Sequence, residues 1–245
     1  MTLRQKKLGQ NFLTDSKYVK IISNHIVALK PASILEIGSG TGIITKELCR
    51  ICDHVISYEI DIDLFEKTSF NLSKFNNLNL VLGDGFNFKG DYDVFVSNLP
   101  YSKSRQFINW ASGEKFRAAI VTVQKEFFDK ITSNIGGKNY RAVTVLSNIT
   151  FDIMPLEIIP NTSFYPPPKV QSQIILLTRK RIISDEMKNL LITLFTYRGK
   201  TVQSALNNLN INAELSEKQM LMRIGYMSPE EMFVLLKQIL NSTEY

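Results

Sequence analysis

Two short motifs carry residue types that suit chemistry on a bound ligand, and the first is rich in glycine. Gly38-Ser-Gly40-Thr-Gly42 directly follows the apolar run 34–37. Glycines after a strand let the chain turn sharply and let a ligand contact the backbone. The dinucleotide pattern G-x-G-x-x-G needs glycine at position 43, which is isoleucine here. The spacing therefore favours a ligand without a pyrophosphate, and S-adenosylmethionine is such a ligand.

Two carboxylates follow at the ends of later predicted strands. Glu59 ends the second strand and can accept both hydroxyls of a ribose. Asp84 ends the third and can accept the exocyclic amine of an adenine. Either residue alone is typical of a solvated loop, but the carboxyl ends of parallel strands meet at one sheet edge. The order turn, ribose acceptor, adenine acceptor therefore predicts a cofactor site. Glu36 lies inside the first predicted strand and is a secondary candidate for the site. If it is buried, its role is structural.

The second motif is Asn98-Leu99-Pro100-Tyr101 at the end of the fourth predicted strand. It suits methylation of an exocyclic base amine, a poor nucleophile because its lone pair is delocalised into the ring. The Asn98 side-chain oxygen and the Leu99 carbonyl can accept its two hydrogens, and Pro100 keeps Leu99 extended. Tyr101 offers a ring for stacking, and no strong base is needed. The alternative is a simple strand-ending turn.

A second aromatic residue could hold the other face of the base. Phe164 and Tyr165 precede Pro166-Pro-Pro168-Lys169, a loop stiffened by three prolines. We therefore expect Phe164 to stack on the target base. The alternative is a core aromatic that closes the edge of the sheet.

The elements that position these residues alternate between short apolar strands and helices. Such alternation predicts a parallel sheet covered on both faces. Strands are predicted at 33–37, 54–58, 78–82, 92–97 and 118–123. Helices are predicted at 15–29, 41–51, 61–75, 104–111 and 125–134.

The pattern changes after residue 137. Residues 141–150 favour a helix, and 153–159 and 172–178 favour two strands added antiparallel at one sheet edge. From residue 185 onward only helices are predicted, at 185–197, 200–208, 216–223 and 229–241. We therefore expect an α/β domain over 1–180, with residues 1–11 as a basic arm, and a small helical domain over 181–245.

Composition narrows the class of protein. The chain has 245 residues and a formal net charge of +6, which suits one or two globular domains. With only two cysteines, the chain is not a disulfide scaffold. The single motif Cys49-x-x-Cys52 does not predict a metal site, because a zinc site needs about four ligands. Basic stretches at 1–30 and 100–141 flank an acidic one, as suits a polyanionic partner, although a solubilising charge explains +6 equally well. With no membrane span or signal peptide evident, we expect a cytoplasmic protein.

The ordered motifs resemble those of the ribosomal RNA adenine N6,N6-dimethyltransferases. The matching segments span residues 8–172 and are 8–13, 36–42, 58–61, 83–84, 98–101, 123–126 and 164–172. The resemblance implies a Rossmann-like S-adenosylmethionine-dependent methyltransferase sheet with a small C-terminal helical domain. It implies adenosine in rRNA as the methyl acceptor.

The resemblance also implies roles for individual residues. The residues expected to bind the cofactor are Gln10, Asn11, Leu13, Gly38, Gly40, Gly42, Glu59, Ile60, Asp84, Gly85 and Asn98. Those expected at the target base are Asn98, Leu99, Pro100, Tyr101 and Phe164. Gly85 departs from the alanine usual in the family.

Two branches of the family remain open at this point. One dimethylates two adjacent adenosines near the 3′ end of small-subunit rRNA and takes part in subunit assembly. The other methylates one large-subunit adenosine and confers macrolide resistance. Leu99 and the run 166–170 favour the first. So does Tyr197-Arg198-Gly-Lys200, which resembles a basic helix start of that branch with glycine in place of its middle arginine.

Three alternative functions can be weighed against the sequence. The chain could be mainly a non-catalytic assembly factor, but the intact residues 98–101 and Glu59 favour catalysis. Ile43 and the motif 98–101 argue against a nicotinamide-dependent dehydrogenase. The proline-rich loop 161–169 and Gln10-Asn11-Phe12 argue against a DNA amine methyltransferase. We expect a monomer that binds the small ribosomal subunit, uses S-adenosylmethionine without a metal, and binds no membrane.

Overall fold

The computed structural model describes residues 10–243, which form two compact units. The first contains residues 10–107, Lys115–Phe128 and Ile153–Arg179. The second contains Ile108–Glu114, Asp129–Asp152 and residues 180–243. The second unit thus draws on two internal segments besides the C-terminal one, and the predicted division at residue 180 stays a prediction.

A seven-stranded sheet carries the α/β part of the fold. Its strands are β2 (Ile34–Ile37), β3 (Val55–Glu59), β4 (Leu78–Leu82), β5 (Val94–Asn98), β6 (Ala118–Gln124), β7 (Phe151–Ile159) and β9 (Ser172–Arg179). The order is β4-β3-β2-β5-β6-β9-β7. The first five strands in this order, from β4 through β3, β2 and β5 to β6, are parallel. Strand β9 pairs antiparallel with β6. The strand order reverses between β2 and β5, which is where ligands bind in such sheets.

Helices connect the parallel strands as the alternation predicts. They are α1 (Ser16–Leu29), α2 (Ile43–Ile51), α3 (Ile62–Leu72), α4 (Ser104–Ala111) and α5 (Lys125–Ile131). The side chains of Asp15 and Asp61 accept backbone N–H groups at the starts of α1 and α3, which stabilises each first turn. All four residues of β2 are buried, as expected for a strand covered on both faces.

A two-stranded sheet joins the N-terminal segment to the proline-rich loop, and the sequence pattern did not predict it. Strand β1 (Phe12–Leu13) pairs antiparallel with β8 (Phe164–Tyr165). The Thr14 amide donates to the Ser163 carbonyl at 2.9 Å. The Ser163 hydroxyl lies 3.0 Å from the Asp15 carboxylate. Two-residue strands are too short for an alternating pattern, so only the tertiary structure reveals them.

The second unit is helical. Its helices include α6 (Ala142–Thr150), α7 (Asp185–Thr196), α8 (Val202–Leu209), α9 (Glu217–Leu221) and α10 (Pro229–Thr243). Its core includes the buried residues Leu191, Leu194, Val202, Leu206, Leu235, Leu236 and Ile239. The Tyr140 hydroxyl donates to the Met227 carbonyl at 2.8 Å, and Arg181 binds Glu230 through two hydrogen bonds. The helices predicted from residue 185 onward are all present.

Residues 10–243 contain neither a membrane-spanning helix nor a cluster of metal ligands. No helix there is both long and apolar enough to cross a membrane. No group of three or more His, Cys, Asp or Glu side chains in that range could hold a metal ion. Both cysteines are free and buried, and burial raises the pKa of Cys49 to about 11.

Candidate active site

A cleft in the first unit lies at the carboxyl ends of β2, β3, β4 and β5. Its empty volume is about 1120 Å³, including the open mouth. It follows the strand ends at the reversal point of the sheet, as expected for a ligand site. The predicted site residues that line it are Gln10, Asn11, Leu13, Gly38, Gly40, Glu59, Ile60, Asp84, Gly85, Asn98, Leu99, Pro100 and Tyr101.

The glycine-rich turn is fastened to the neighbouring strand. The amides of Gly38 and Ser39 both donate to the Tyr58 carbonyl, at 2.7 and 3.1 Å. Gly38 and Gly40 have φ angles of +85° and +57°, a region that other residues rarely adopt. The turn therefore brings bare backbone to the floor of the cleft.

The Glu59 side chain also holds the glycine-rich turn. Its Oε2 accepts the Gly40 amide at 2.8 Å, and its Oε1 accepts the Asp61 amide at 2.9 Å. The side chain is almost fully buried, and this burial raises the pKa of Glu59 above its usual value, although the backbone donors oppose the shift. A carboxylate has about four lone-pair sites, so Glu59 can still accept the hydroxyls of a ligand.

Glu36 is buried and has a structural role, the alternative considered for it above. Its Oε2 accepts the hydroxyls of Thr45 at 2.7 Å and Ser57 at 2.5 Å. Burial raises the pKa of Glu36 to about 7, against the effect of these two hydroxyls. The residue is not among those that line the cleft.

Asp84 and Gly85 form the wall beyond β4. The Asp84 Oδ1 accepts the Phe86 amide at 3.0 Å, which begins a short 3₁₀ helix (Gly85–Asn87). A Cβ atom on Gly85 would lie 2.7 Å from Ile37 Cγ1 and 2.9 Å from Tyr58 Cβ. These two neighbours explain why this chain has glycine where a methyl group would not fit.

The N-terminal segment supplies another wall of the cleft. The Asn98 side-chain amide donates to the Asn11 carbonyl at 3.0 Å. Leu13, 2% exposed, anchors the segment in the core. Because the side-chain nitrogen of Asn98 is bound to Asn11, the side-chain oxygen Oδ1 is the end of the amide that can accept a hydrogen bond from a ligand.

The residues on both sides of Asn98 are held firmly. The Leu99 side chain is buried, and the Ser97 hydroxyl donates to the Ile37 carbonyl at 2.6 Å. Tyr101 begins a short 3₁₀ helix, and its hydroxyl lies 2.6 Å from Ser172 Oγ. Partial burial raises the pKa of Tyr101, so its hydroxyl is neutral at physiological pH. This motif therefore offers acceptors and a fixed ring, with no strong base.

Two predicted residues do not line the cleft. Gly42, with a φ of +79°, is the N-cap of α2, and a Cβ there would lie 3.0 Å from Thr68 Cγ2. Phe164 is 3% exposed and packs in the apolar core with Leu13 and Ile174. A cofactor contact for Gly42 and base stacking by Phe164 stay predictions.

Several residues at the cleft are not among the predicted site residues. Ser39 and Phe86 line the cleft, and Ser172 binds the Tyr101 hydroxyl. The first two are neighbours of predicted residues in the same loops, so extending each motif by one residue would have found them. Ser172 closes the last matching segment but is distant from Tyr101 in sequence, and only the pairing of β6 with β9 shows their proximity.

The sequence profile of the ribosomal RNA adenine dimethylase family matches residues 1–241. The chain belongs to this family. Its resemblance to rRNA adenine N6,N6-dimethyltransferases is thereby confirmed, and the enzyme is an rRNA adenine dimethyltransferase. A relative, ribosomal RNA small subunit methyltransferase A of Borreliella afzelii, is 31% identical over 95% of this chain and 88% of its own.

Two solved structures are similar over nearly the whole dimethylase. A dimethyladenosine transferase from Plasmodium falciparum has a TM-score of 0.79 at 23% identity, covering 94% of this chain and 98% of its own. The 23S rRNA methyltransferase ErmE has a TM-score of 0.70 at 26% identity, covering 94% and 99%. The expected Rossmann-like methyltransferase fold is thus confirmed.

Proposed function

We propose that this dimethylase uses S-adenosylmethionine to dimethylate the N6 amines of two adjacent adenosines near the 3′ end of small-subunit rRNA. The observation that carries the proposal is the Asn98 side-chain amide, which is oriented by its bond to the Asn11 carbonyl and lines the same cleft as Tyr101 and Glu59. The Borreliella afzelii relative, named for the small subunit, supports that choice of substrate. The proposal includes a monomeric enzyme that acts in the cytoplasm during subunit assembly.

The cleft fits the cofactor by the chemistry of its polar atoms. Within residues 10–243, Gln10 Oε1 and Ser39 Oγ are buried without a hydrogen-bond partner, a costly state that a polar ligand would relieve. They suit the amino-acid end of S-adenosylmethionine. Glu59 suits the ribose hydroxyls and Asp84 the adenine amine. When bound, this cofactor supplies a methyl group made electrophilic by a sulfonium.

The chain contributes orientation and acceptors to the methyl transfer. Asn98 Oδ1 and the Leu99 carbonyl accept the two hydrogens of the target amine, which makes its lone pair available. The same dipoles stabilise positive charge that develops on the nitrogen. Once the target nitrogen carries the new methyl it is positively charged, and its N–H proton is acidic enough to be lost to water, so a nearby histidine is unnecessary. The acceleration of methyl transfer comes mainly from placing the target nitrogen in line with the methyl group.

The target adenine must leave its stack to reach Asn98. Tyr101 holds one face of the base, and its ring is fixed by Ser172. We include Phe164 as the residue for the other face, which requires its ring to turn out of the core. Lys103, at the rim of the cleft, suits a phosphate of the flipped nucleotide.

The test is methyl transfer from radiolabelled S-adenosylmethionine to small and large ribosomal subunits that lack the modification, followed by digestion to nucleosides. We expect N6,N6-dimethyladenosine in small-subunit rRNA, near two sites per particle. Label confined to large-subunit rRNA would instead assign the resistance-type activity. Absence of label on both, with the cofactor still bound, would favour a non-catalytic assembly factor.

A further inference from the structure

A buried hydroxyl group lies beside Asn98, on the neighbouring strand of the sheet. Strands β5 and β6 are parallel, and their register pairs Asn98 with Thr122. Neighbouring strands lie about 4.8 Å apart, so paired residues have side chains within reach of each other if they project from the same face. The register therefore gives Asn98 a polar neighbour that no sequence motif indicated.

The alternation along the two strands shows that these side chains share a face. Side chains two residues apart on a strand project to the same side. Val96, two residues before Asn98, belongs to the apolar core cluster. Ile120, two residues before Thr122, belongs to the same cluster. On its other side Thr122 pairs with Ile174 of β9, also in that cluster, so the Asn98 amide is the polar group next to it in the sheet.

The hydroxyl of Thr122 makes no hydrogen bond with any residue that the structure describes. The residue is 1% exposed, and Oγ1 is buried without a partner among residues 10–243. A buried hydroxyl that is left unpaired lowers the stability of a fold, whereas valine, which has nearly the same shape, would leave no polar atom unpaired. Threonine at this position is therefore unfavourable for stability, and a role in the neighbouring site explains it.

The Asn98 amide has a hydrogen that could match this hydroxyl. Its Nδ2 carries two hydrogens, and among the described residues its one hydrogen-bond acceptor is the Asn11 carbonyl, at 3.0 Å. A free N–H group beside the target amine would compete for the lone pair that must attack the methyl group. The amide therefore suits its role best when both hydrogens are bound and Oδ1 alone is presented to the base.

We propose that Thr122 is a positioning residue for methyl transfer, and that its hydroxyl accepts the second hydrogen of the Asn98 amide when the target adenine is bound. The bond forms by rotation of the Thr122 side chain among its staggered positions. Thr122 does not touch the substrate and acts only through Asn98. The proposal therefore rests on the proposed function, in which Asn98 accepts a hydrogen of the target amine.

The first experiment compares two substitutions of Thr122 in methylation of small subunits that lack the modification. Thr122→Val should lower kcat by about 2- to 12-fold, the effect of one hydrogen bond. KM for the subunit and the affinity for S-adenosylmethionine should stay at their wild-type values, and the melting temperature should be equal to or higher than that of wild type. Thr122→Ser should keep the wild-type kcat, because it retains the hydroxyl.

A matched control makes the same substitution elsewhere in the sheet. Thr178 is exposed on β9 and pairs with Ala118, the first residue of β6. Thr178→Val should leave kcat and KM unchanged. Wild-type kcat in Thr122→Val, or an equal loss of kcat in Thr122→Ser, would overturn the role of the Thr122 hydroxyl.

A double variant separates positioning from packing. A residue that acts only through Asn98 has nothing left to orient once Asn98 is alanine. Thr122→Val should therefore cause no further loss of single-turnover rate in the Asn98→Ala background. An equal loss in both backgrounds would show that Thr122 acts through packing, and it would overturn the proposal.

The outcomes also separate this proposal from the proposed function. If wild type labels only large-subunit rRNA, the proposed substrate is wrong, and the same Thr122 variants assayed on large subunits decide the positioning role. If wild type and Thr122→Val methylate small subunits with the same kcat, only the positioning role fails. Methyl transfer by wild type to neither subunit would overturn both.

Discussion

The side-chain amide of Asn98 is bound to the backbone carbonyl of Asn11, at 3.0 Å and across 87 residues of chain. The bond links the residue proposed to contact the target amine with the N-terminal wall of the cofactor cleft. It also fixes which end of the Asn98 amide is free. The orientation of the acceptor therefore depends on a backbone atom that no substitution of side chains can remove.

Asn98→Ala should nearly abolish methyl transfer while S-adenosylmethionine still binds. Loss of a positioned dipole of this kind costs about 10²–10³ in kcat. Asn98→Asp keeps an acceptor but loses the donor to Asn11, so we expect it to be impaired as well. Single-turnover methylation and calorimetry measure the two effects. Wild-type turnover in either variant would contradict the proposed role of the amide.

Glu59→Gln should weaken cofactor binding at least tenfold. The Glu59 carboxylate accepts two backbone amides, and an NH₂ group in place of one oxygen would face a donor. Hydrogen bonds to charged groups contribute about 1.5–3 kcal/mol. Calorimetric titration with S-adenosylmethionine measures the loss. Glu66→Gln, on the exposed side of α3, is the matched control, and an equal change in both variants would contradict the assignment.

The ring and the hydroxyl of Tyr101 should contribute differently. Tyr101→Phe loses only the hydrogen bond to Ser172, so we expect a reduction in kcat of a few-fold, shared by Ser172→Ala. Tyr101→Ala removes the ring proposed to hold the base and should cost about 5- to 150-fold in kcat/KM. Steady-state methylation of small subunits measures each. Equal losses for the two Tyr101 variants would show that the hydroxyl, not the ring, matters.

Glu36 should make stability depend on pH. Its pKa is raised from 4.5 to about 7 in the folded protein, so the folded state binds the extra proton. The stability that this proton provides is fully present below about pH 4.5 and is lost as pH rises to about 7. The loss amounts to about 3 kcal/mol. Urea unfolding across this range should show it in wild type but not in Glu36→Gln, and parallel profiles would contradict the assignment.

Gly85→Ala should destabilise the wall of the cleft. The added methyl would lie 2.7 Å from Ile37 Cγ1, and overpacking of this kind costs about 1–3 kcal/mol. We expect lower thermal stability and weaker S-adenosylmethionine binding. Gly199→Ala is the control, because a Cβ there meets no atom within 4 Å. A Gly85→Ala variant with wild-type affinity would show that Ile37 moves aside freely.

Local patterns predicted the elements that carry the site. The run 34–37 followed by three glycines predicted both a buried strand and the turn after it, because periodicity and turn chemistry act over a few residues. Glu59 and Asp84 followed from the rule that parallel strands end at one edge. These expectations needed no knowledge of distant contacts.

Distant contacts account for what the sequence could not reveal. The pairing of Phe12 with Tyr165 and the bond between Tyr101 and Ser172 join segments that no local pattern relates. The placement of Phe164 in the core is also tertiary, since an aromatic residue before prolines suits either a core or a stacking position. The inclusion of residues 108–114 and 129–152 in the second unit likewise depends on packing.

The pairing of β1 with β8 sets the order in which the cleft is completed as the chain is synthesised. Thr14 and Ser163 are 149 residues apart, whereas the glycine turn, Glu59, Asp84 and Asn98 all leave the ribosome before Ser163 does. The backbone pairing of residues 12–14 can form only after the loop at 161–165 has emerged. A nascent chain arrested earlier would carry most of the residues proposed to bind the cofactor, yet it would lack the strand partner of Phe12 and Leu13. We therefore expect the chain to gain its full affinity for the methyl donor late in translation, when the first unit is nearly complete.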